Sequence, residues 1–452
     1  MNLTVKEIAL AANGKMIGCE NPYTIENIVT DSRIAKKGSL FVALKGDTFD
    51  GHDFIGDVIL KGCRAVLSEK ETDVSEDVLQ IVVRDTKKAL GDIAKYYISK
   101  KDILKIAVTG SVGKTTTKEM IASVCEEISK TLKTEGNFNN DIGLPLTAYR
   151  LNDEKIGIFE MGMNHFGEIE YLSEIVKPDI AVITNIGHSH IENLGSQEGI
   201  LKAKLEVLKN LSEDGTIILN GDDKLLYGAK DSIKVKKIYI GINNKDCDLK
   251  AENIKEYDNF TEFTFEGEIY KINLLGTHNI YNALMAIAIG RLAGGSKNEI
   301  KNGLLKYKPY GIRQNIIENN GYKIIADCYN AAPDSMIASL DVLSKVKGGR
   351  KIAVFGSVAE LGNKRDELLF EVGKKIKDFD ISELITVTED ALSINEGARV
   401  SGFLNEKNFK SNKEALKYLK EIIKKDDVVL IKGSRKYKME EISEGLLQKE
   451  DA

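Results

Sequence analysis

The run Lys105-Ile106-Ala107-Val108-Thr109-Gly110-Ser111-Val112-Gly113-Lys114-Thr115-Thr116-Thr117 decides the fold class of this 452-residue chain. Lys105–Thr109 reads as a short β-strand, and Lys118–Ile128 behind the loop reads as a helix. Between them, glycines let the backbone curl until several N–H groups face one anion. The helix N-terminus adds a favourable dipole, Lys114 a point charge, and Thr115 a hydroxyl suited to Mg2+. The general phosphate-loop pattern wants a glycine six residues before the lysine; Val108 stands there, so this loop is a short form. A bare GxxGKT also fits an ordinary strand–helix turn. With a strand before it, a helix after it and three threonines, the segment predicts a nucleotide site lined by Gly110, Ser111, Val112, Gly113, Lys114, Thr115 and Thr116.

Moving outward, short apolar runs alternate with amphipathic helical stretches, which predicts α/β architecture with parallel sheets. Ile156–Glu160, Ile180–Thr184 and Thr216–Leu219 read as further buried strands, each ending in polar or glycine residues. Ligands bind at such strand ends in open α/β sheets. Glu160 is there placed as a second handle on Mg2+, although taken alone it is a solvated strand-end residue. His190 follows the next strand; a lone histidine is usually structural, and His188 competes for any role. Lys204, inside Lys202-Ala203-Lys204-Leu205-Glu206, is on composition alone part of a charged helix face.

Three segments are expected: residues 1–98, 99–312 and 313–452. The first holds strands Ser39–Leu44 and Ala65–Leu67 and a helical stretch from Asp85 to Lys100. The third reads as a doubly wound unit: strands Lys323–Ala326, Lys351–Phe355, Glu383–Val387 and Asp427–Ile431, with helices Ser335–Val346, Asp366–Lys377 and Lys413–Lys424 between them. Pro309, Tyr310 and Gly311 mark a linker before it. Lys+Arg of 64 against Asp+Glu of 69 gives no electrostatic reason to bind nucleic acid or anionic lipid. The five cysteines (19, 63, 125, 247 and 328) form no CxxC pair, so neither a disulfide framework nor a zinc ribbon is expected. No signal peptide or run of about 20 apolar residues is visible, which predicts a cytoplasmic protein without membrane insertion. A monomer is expected.

Taken together, TGSVGKTTTKE (109–119), TEGNFNNDIGLPLT (134–147), EMGMNHFGEIEYL (160–172) and TNIGHSHIENLGSQEGILKAKLE (184–206) resemble the central domain of the Mur ligases. The long second block and HFGEI look like the branch that adds D-alanyl-D-alanine to UDP-N-acetylmuramoyl-tripeptide. IVTDSR (28–33) and GSLFVALKGDTFDGHDFI (38–55) resemble the family's UDP-binding first domain. GTHNIYNALMAIA (276–288), YGIRQN (310–315) and DCYNAAPDS (327–335) resemble its adenine and ribose stretches. VFGSVAELGNKRDE (354–367) and VLIKGSRKYKME (429–440) resemble its C-terminal, Rossmann-like domain.

The resemblance implies an ATP-dependent, ADP-forming ligase of peptidoglycan precursor synthesis, acting on UDP-N-acetylmuramoyl-tripeptide and D-Ala-D-Ala. It implies that Lys114 and the loop amides hold the ATP phosphates, and that Thr115 and Glu160 bind one Mg2+. It gives His190 a second Mg2+, shared with Lys204 as a carbamylated lysine. Asn279, Asn282, Arg313, Asp327, Tyr329 and Asn330 would complete the nucleotide site. Asp31, Ser32, Arg33, Lys45 and Gly46 would meet the uridine diphosphate end; Asn137, Asn139 and Asn140 would lie along the sugar–peptide path. Ala326, Ala332 and Ser357 depart from the branch's pattern of Asp, Asn and Asp at those places. They leave open a different amine or a single amino acid, and beyond these a non-catalytic Mur-like nucleotide-binding subunit.

Overall fold

In the computed structural model, which describes residues 3–18, 24–46, 48–309 and 315–448, the strand read first runs from Leu104 to Thr109. Its sheet has seven strands in the order Leu249–Lys250, Lys236–Gly241, Thr216–Asn220, Ile180–Ile183, Leu104–Thr109, Ile156–Glu160 and Thr131–Lys133. Every residue of Ile156–Glu160, Ile180–Ile183 and Thr216–Asn220 is buried. That explains their continuous apolar runs, because helices cover both faces of a parallel sheet.

A five-stranded sheet precedes it in the chain, ordered Lys15–Ile17, Leu79–Val82, Ala65–Ser68, Ser39–Val42 and Asn27–Val29. Only its first strand runs antiparallel to its neighbour. A six-stranded sheet follows, ordered Asn315–Asn319, Tyr322–Asp327, Val428–Lys432, Lys351–Phe355, Glu383–Val387 and Glu406–Phe409. It is parallel except at Asn315–Asn319. Ile324, Ile352, Val354, Ile385, Val429 and Ile431 form one apolar layer with Leu419 and Ile442. Each such side chain contributes about 1.5–3 kcal/mol by leaving water.

The chain divides into two compact units. One comprises residues 1–109, 129–181 and 205–216; the other comprises 110–128, 182–204 and 217–452. Helix starts follow their caps. Asp85 accepts from the Lys88 N–H and opens Thr86–Ser99, and Ser411 does the same for Asn412–Ile422 through Glu414.

Two elements of the second unit cross at glycines. A Cβ on Gly373 of helix Arg365–Lys375 would lie 2.0 Å from the Ile394 carbonyl oxygen, and one on Gly397 of helix Leu392–Val400 2.0 Å from that of Phe370. Both clashes are with backbone, so the helices must separate to admit a methyl. Gly373→Ala is expected to lower stability by about 1–3 kcal/mol, read as a clear drop in Tm by calorimetry. An unchanged Tm would contradict the tight crossing.

Candidate active site

The helix after the first strand begins at Lys114, so Lys114 and Thr115 fall on its first turn. Gly110 has φ +147° and Gly113 φ +82°, and a Cβ on Gly110 would meet Thr184 Oγ1 at 1.8 Å. The loop is held from its neighbour segment. Ser111 N–H donates to the Asn185 carbonyl (3.0 Å) and Val112 N–H to Asn185 Oδ1 (3.1 Å). Thr184 Oγ1 and Asn185 Nδ2 both donate to the Val112 carbonyl, at 2.6 and 3.0 Å. Thr184 and Asn185 are therefore the loop's buttress. Sequence reasoning gave them no role, although two polar residues directly behind a buried strand were a signal. Lys114 Nζ folds back to donate to the Gly110 and Ser111 carbonyls at 2.9 and 3.3 Å. Among the described residues the buried Ser111 hydroxyl has no hydrogen-bond partner.

Asn279 and Asn282 lie on the first turns of helix His278–Leu292 and are buried. Asn282 Nδ2 donates to Asn279 Oδ1 (3.1 Å), and Asn282 Oδ1 accepts from Thr117 Oγ1 (2.9 Å). Expected at the adenine, these amides also brace the phosphate-loop helix. Asn282→Ala removes the acceptor of the Thr117 hydroxyl and a donor to the Asn279 oxygen. It should cost about 1–3 kcal/mol, seen as a lower urea midpoint; an unchanged midpoint would show that the brace is unimportant.

Lys204 sits in helix Gln197–Leu205 and is 1% exposed. Burial, with the Lys114 charge second, holds its amine well below the usual lysine range. His190 takes a left-handed backbone (φ 63°) and places Nδ1 2.6 Å from Glu360 Oε2. His188 is held differently. Its N–H donates to Asp334 Oδ2 (3.0 Å) and its Nδ1 lies 3.0 Å from the same oxygen. That hydrogen bond raises the His188 pKa.

In the same unit Asp327 Oδ2 accepts from Lys432 Nζ (2.5 Å) and Ser339 Oγ (2.9 Å). The Arg435 guanidinium lies 6.0 Å from the Tyr329 ring centroid, and Asn330 Oδ1 accepts from the Ala331 N–H. Arg313 and most of the expected linker lie outside the described residues. Ala326 and Ser357 sit in local structure that suits them, and nothing in the structure explains Ala332. Ala326 is buried between Asn315 and Ile431 in the sheet, where a carboxylate would be desolvated. The Ala332 N–H donates to Ser335 Oγ, and Ser357 Oγ donates to the Asp390 carbonyl.

In the other unit Glu160 is 2% exposed and in register with Val108. Its Oε1 accepts from Asn139 Nδ2 at 2.8 Å. Asn139, expected along the substrate path, is thus an orienting partner of Glu160. Asn140 Oδ1 accepts from the Gly143 N–H, and Asn137 is exposed. Arg33 clamps both Asp31 oxygens, at 2.7–3.1 Å, and draws the Asp31 carboxyl down to about 2. Lys61 Nζ donates to the Ser32 carbonyl. Lys45 pairs with Asp50 in an isolated antiparallel backbone bridge, and the Gly46 N–H donates to the Phe49 carbonyl.

Among the described residues no three His, Cys, Asp or Glu side chains form a ready metal cluster, and no helix is long and apolar enough to cross a membrane. Cys63, Cys125, Cys247 and Cys328 are free thiols.

Three family models match the chain: the Mur ligase family catalytic domain over residues 24–98, the Mur ligase middle domain over 108–290, and the Mur ligase glutamate ligase domain over 312–435. The UDP-N-acetylmuramoyl-tripeptide–D-alanyl-D-alanine ligase of Bacillus subtilis is 38% identical over 459 residues, covering 98% of both chains. A crystal structure of MurF from Acinetobacter baumannii superposes with a TM-score of 0.93 at 31% identity, covering 99% of each chain. The MurF ligase from Thermotoga maritima in complex with ADP gives 0.84 at 28% identity, covering 93% of this chain and 97% of that one.

Proposed function

The chain belongs to the Mur ligase family, and we propose that it joins the amine of D-alanyl-D-alanine to a carboxylate of UDP-N-acetylmuramoyl-tripeptide, converting ATP to ADP and phosphate. The observation that carries this reading is a buttressed phosphate loop and a buried lysine in a chain alike over 98% of its length to ligases of that name.

The residues suit the nucleotide. Gly110 leaves no room for a side chain beside Thr184, which keeps the loop packed on its buttress ahead of the Lys114–Ile128 helix N-terminus, a favourable place for an anion. The partnerless Ser111 hydroxyl is a donor that a phosphate oxygen would satisfy. They suit Mg2+ as well, given one modification. Thr115 and Glu160 offer hard oxygen donors. An amine does not, but a neutral Lys204 can attack CO2. The N–C bond forms, an electron pair of one C=O moves onto oxygen, and the amine loses a proton, leaving an anionic carbamate. Thr115 and Glu160 would hold one Mg2+, and His190 with carbamylated Lys204 a second. Bound there, the ions would draw negative charge off the phosphoryl oxygens.

The peptide carboxylate attacks the γ-phosphorus, the bond to the β,γ-bridging oxygen breaks, and ADP leaves. The dipeptide amine then attacks the acyl phosphate carbon; phosphate leaves and the nitrogen loses a proton. Lys114 and the loop amides orient the phosphates and stabilise charge as it moves. Arg33 and Asp31 fix the loop that would meet the uridine end. We place the protein in the cytoplasm as a monomer, with domains at 1–98, 99–312 and 313–452. Hydroxylamine tests the intermediate: with ATP, Mg2+ and the UDP-tripeptide but no dipeptide, a peptide hydroxamate should form. Its absence under conditions that support ligation would contradict an acyl phosphate.

A further inference from the structure

Two non-glycine residues with left-handed backbone face each other in the second unit: His190 at φ 63° and Glu360 at φ 65°. For a glutamate this conformation is unfavourable, and such strain persists where surrounding structure imposes it. The surroundings do so here. Glu192 N–H donates to the Glu360 carbonyl (3.2 Å), and Lys364 Nζ donates to the Gly195 carbonyl (2.9 Å). Gly362, at φ +55°, lets Glu192 approach; a Cβ there would lie 3.0 Å from Glu192 Cγ. The loop carrying Glu360 is thereby seated on the segment carrying His190, and Glu360 Oε2 comes to 2.6 Å from His190 Nδ1. His188 is not a substitute partner, because Asp334 already engages it.

We propose that Glu360 is the positioning residue of His190: its carboxylate takes Nδ1, fixes the ring, and leaves the Nε2 lone pair as the face offered to a divalent cation. A carboxylate behind a ligating imidazole sets the tautomer, orients the ring and raises its basicity. Glu360 touches neither substrate nor metal. It comes from the third segment, so the His190 ligand is fully formed only when the 357–364 loop is seated. The inference rests on the reading of His190 as a metal ligand given above.

Mn2+ binding to the full chain with a non-hydrolysable ATP analogue, counted by electron paramagnetic resonance, tests it. The wild type should bind two ions and His190→Ala one. Glu360→Ala should weaken the second ion about 10–100-fold. Glu360→Gln, whose side-chain oxygen can still accept from Nδ1, should recover most of that affinity. Lys364→Ala, which removes a seating contact without touching His190, should change it several-fold at most. The chain has five histidines, so nitrogen NMR of labelled imidazoles gives a readout independent of metal and activity. The His190 Nδ1–H form should dominate in the wild type and be lost in Glu360→Ala. If His190→Ala loses the second ion while Glu360→Ala binds both normally, the positioning role is wrong and the metal reading stands. If His190→Ala still binds two, both fall.

Discussion

Lys204→Ala is expected to slow ligation severely, and a short carboxylic acid added to the assay is expected to restore part of it. The argument begins with burial. An amine 1% exposed and beside the Lys114 charge has its pKa held well below the usual lysine range, which favours the uncharged form that CO2 requires. Carbamylation turns it into an anionic oxygen donor. Loss of that group should reduce kcat by about 10²–10³-fold, the size of removing one preorganised charge-stabilising contact. A free carboxylate diffusing into the vacated space replaces the oxygen but not its tether, so rescue is partial. Lys204→Arg should be as inactive as alanine, because a guanidinium stays protonated and cannot take up CO2. Ligation at the normal rate by Lys204→Ala without added acid would remove the carbamate from the account.

Lys114→Ala should lower kcat by a similar factor, about 10²–10³, for two coupled reasons. The ammonium offers charge to the phosphoryl oxygens, and it also closes the loop through the Gly110 and Ser111 carbonyls. Lys114→Arg should rescue poorly, since a planar fork does not reproduce a compact point charge. ADP affinity by calorimetry separates the effects from misfolding: a folded variant with weakened ADP binding fits, whereas unaltered binding and rate would contradict the loop assignment.

Much of this was readable before the structure, for a physical reason. Strands buried on both faces, such as Ile156–Glu160, announce themselves as apolar runs. The exposed ones do not. Asn315–Asn319 and Glu406–Phe409 are half polar and largely unburied, and the three-stranded antiparallel sheet Glu252–Glu256, Thr261–Phe265 and Glu268–Ile272 carries charges throughout. None was anticipated. Helix Leu392–Val400 opens without a side-chain cap, so its start had no signal. At the site, the strand, glycine loop and helix around Gly110–Lys114 were legible because such a unit is local. The Glu360 contact to His190 and the Asp334 contact to His188 join residues far apart in sequence, and no spacing rule reaches that far. Asn139 was read as a substrate residue; its bond to Glu160 became visible only once the two were placed together.

Phosphate release from ATP and Mg2+, measured with the UDP-N-acetylmuramoyl-tripeptide and D-Ala-D-Ala and with each omitted in turn, tests the central claim most directly. Stoichiometric release that requires both substrates, accompanied by a UDP-linked pentapeptide of the summed mass less water, is the predicted result. No release in any combination, or release without an amide product, would contradict it.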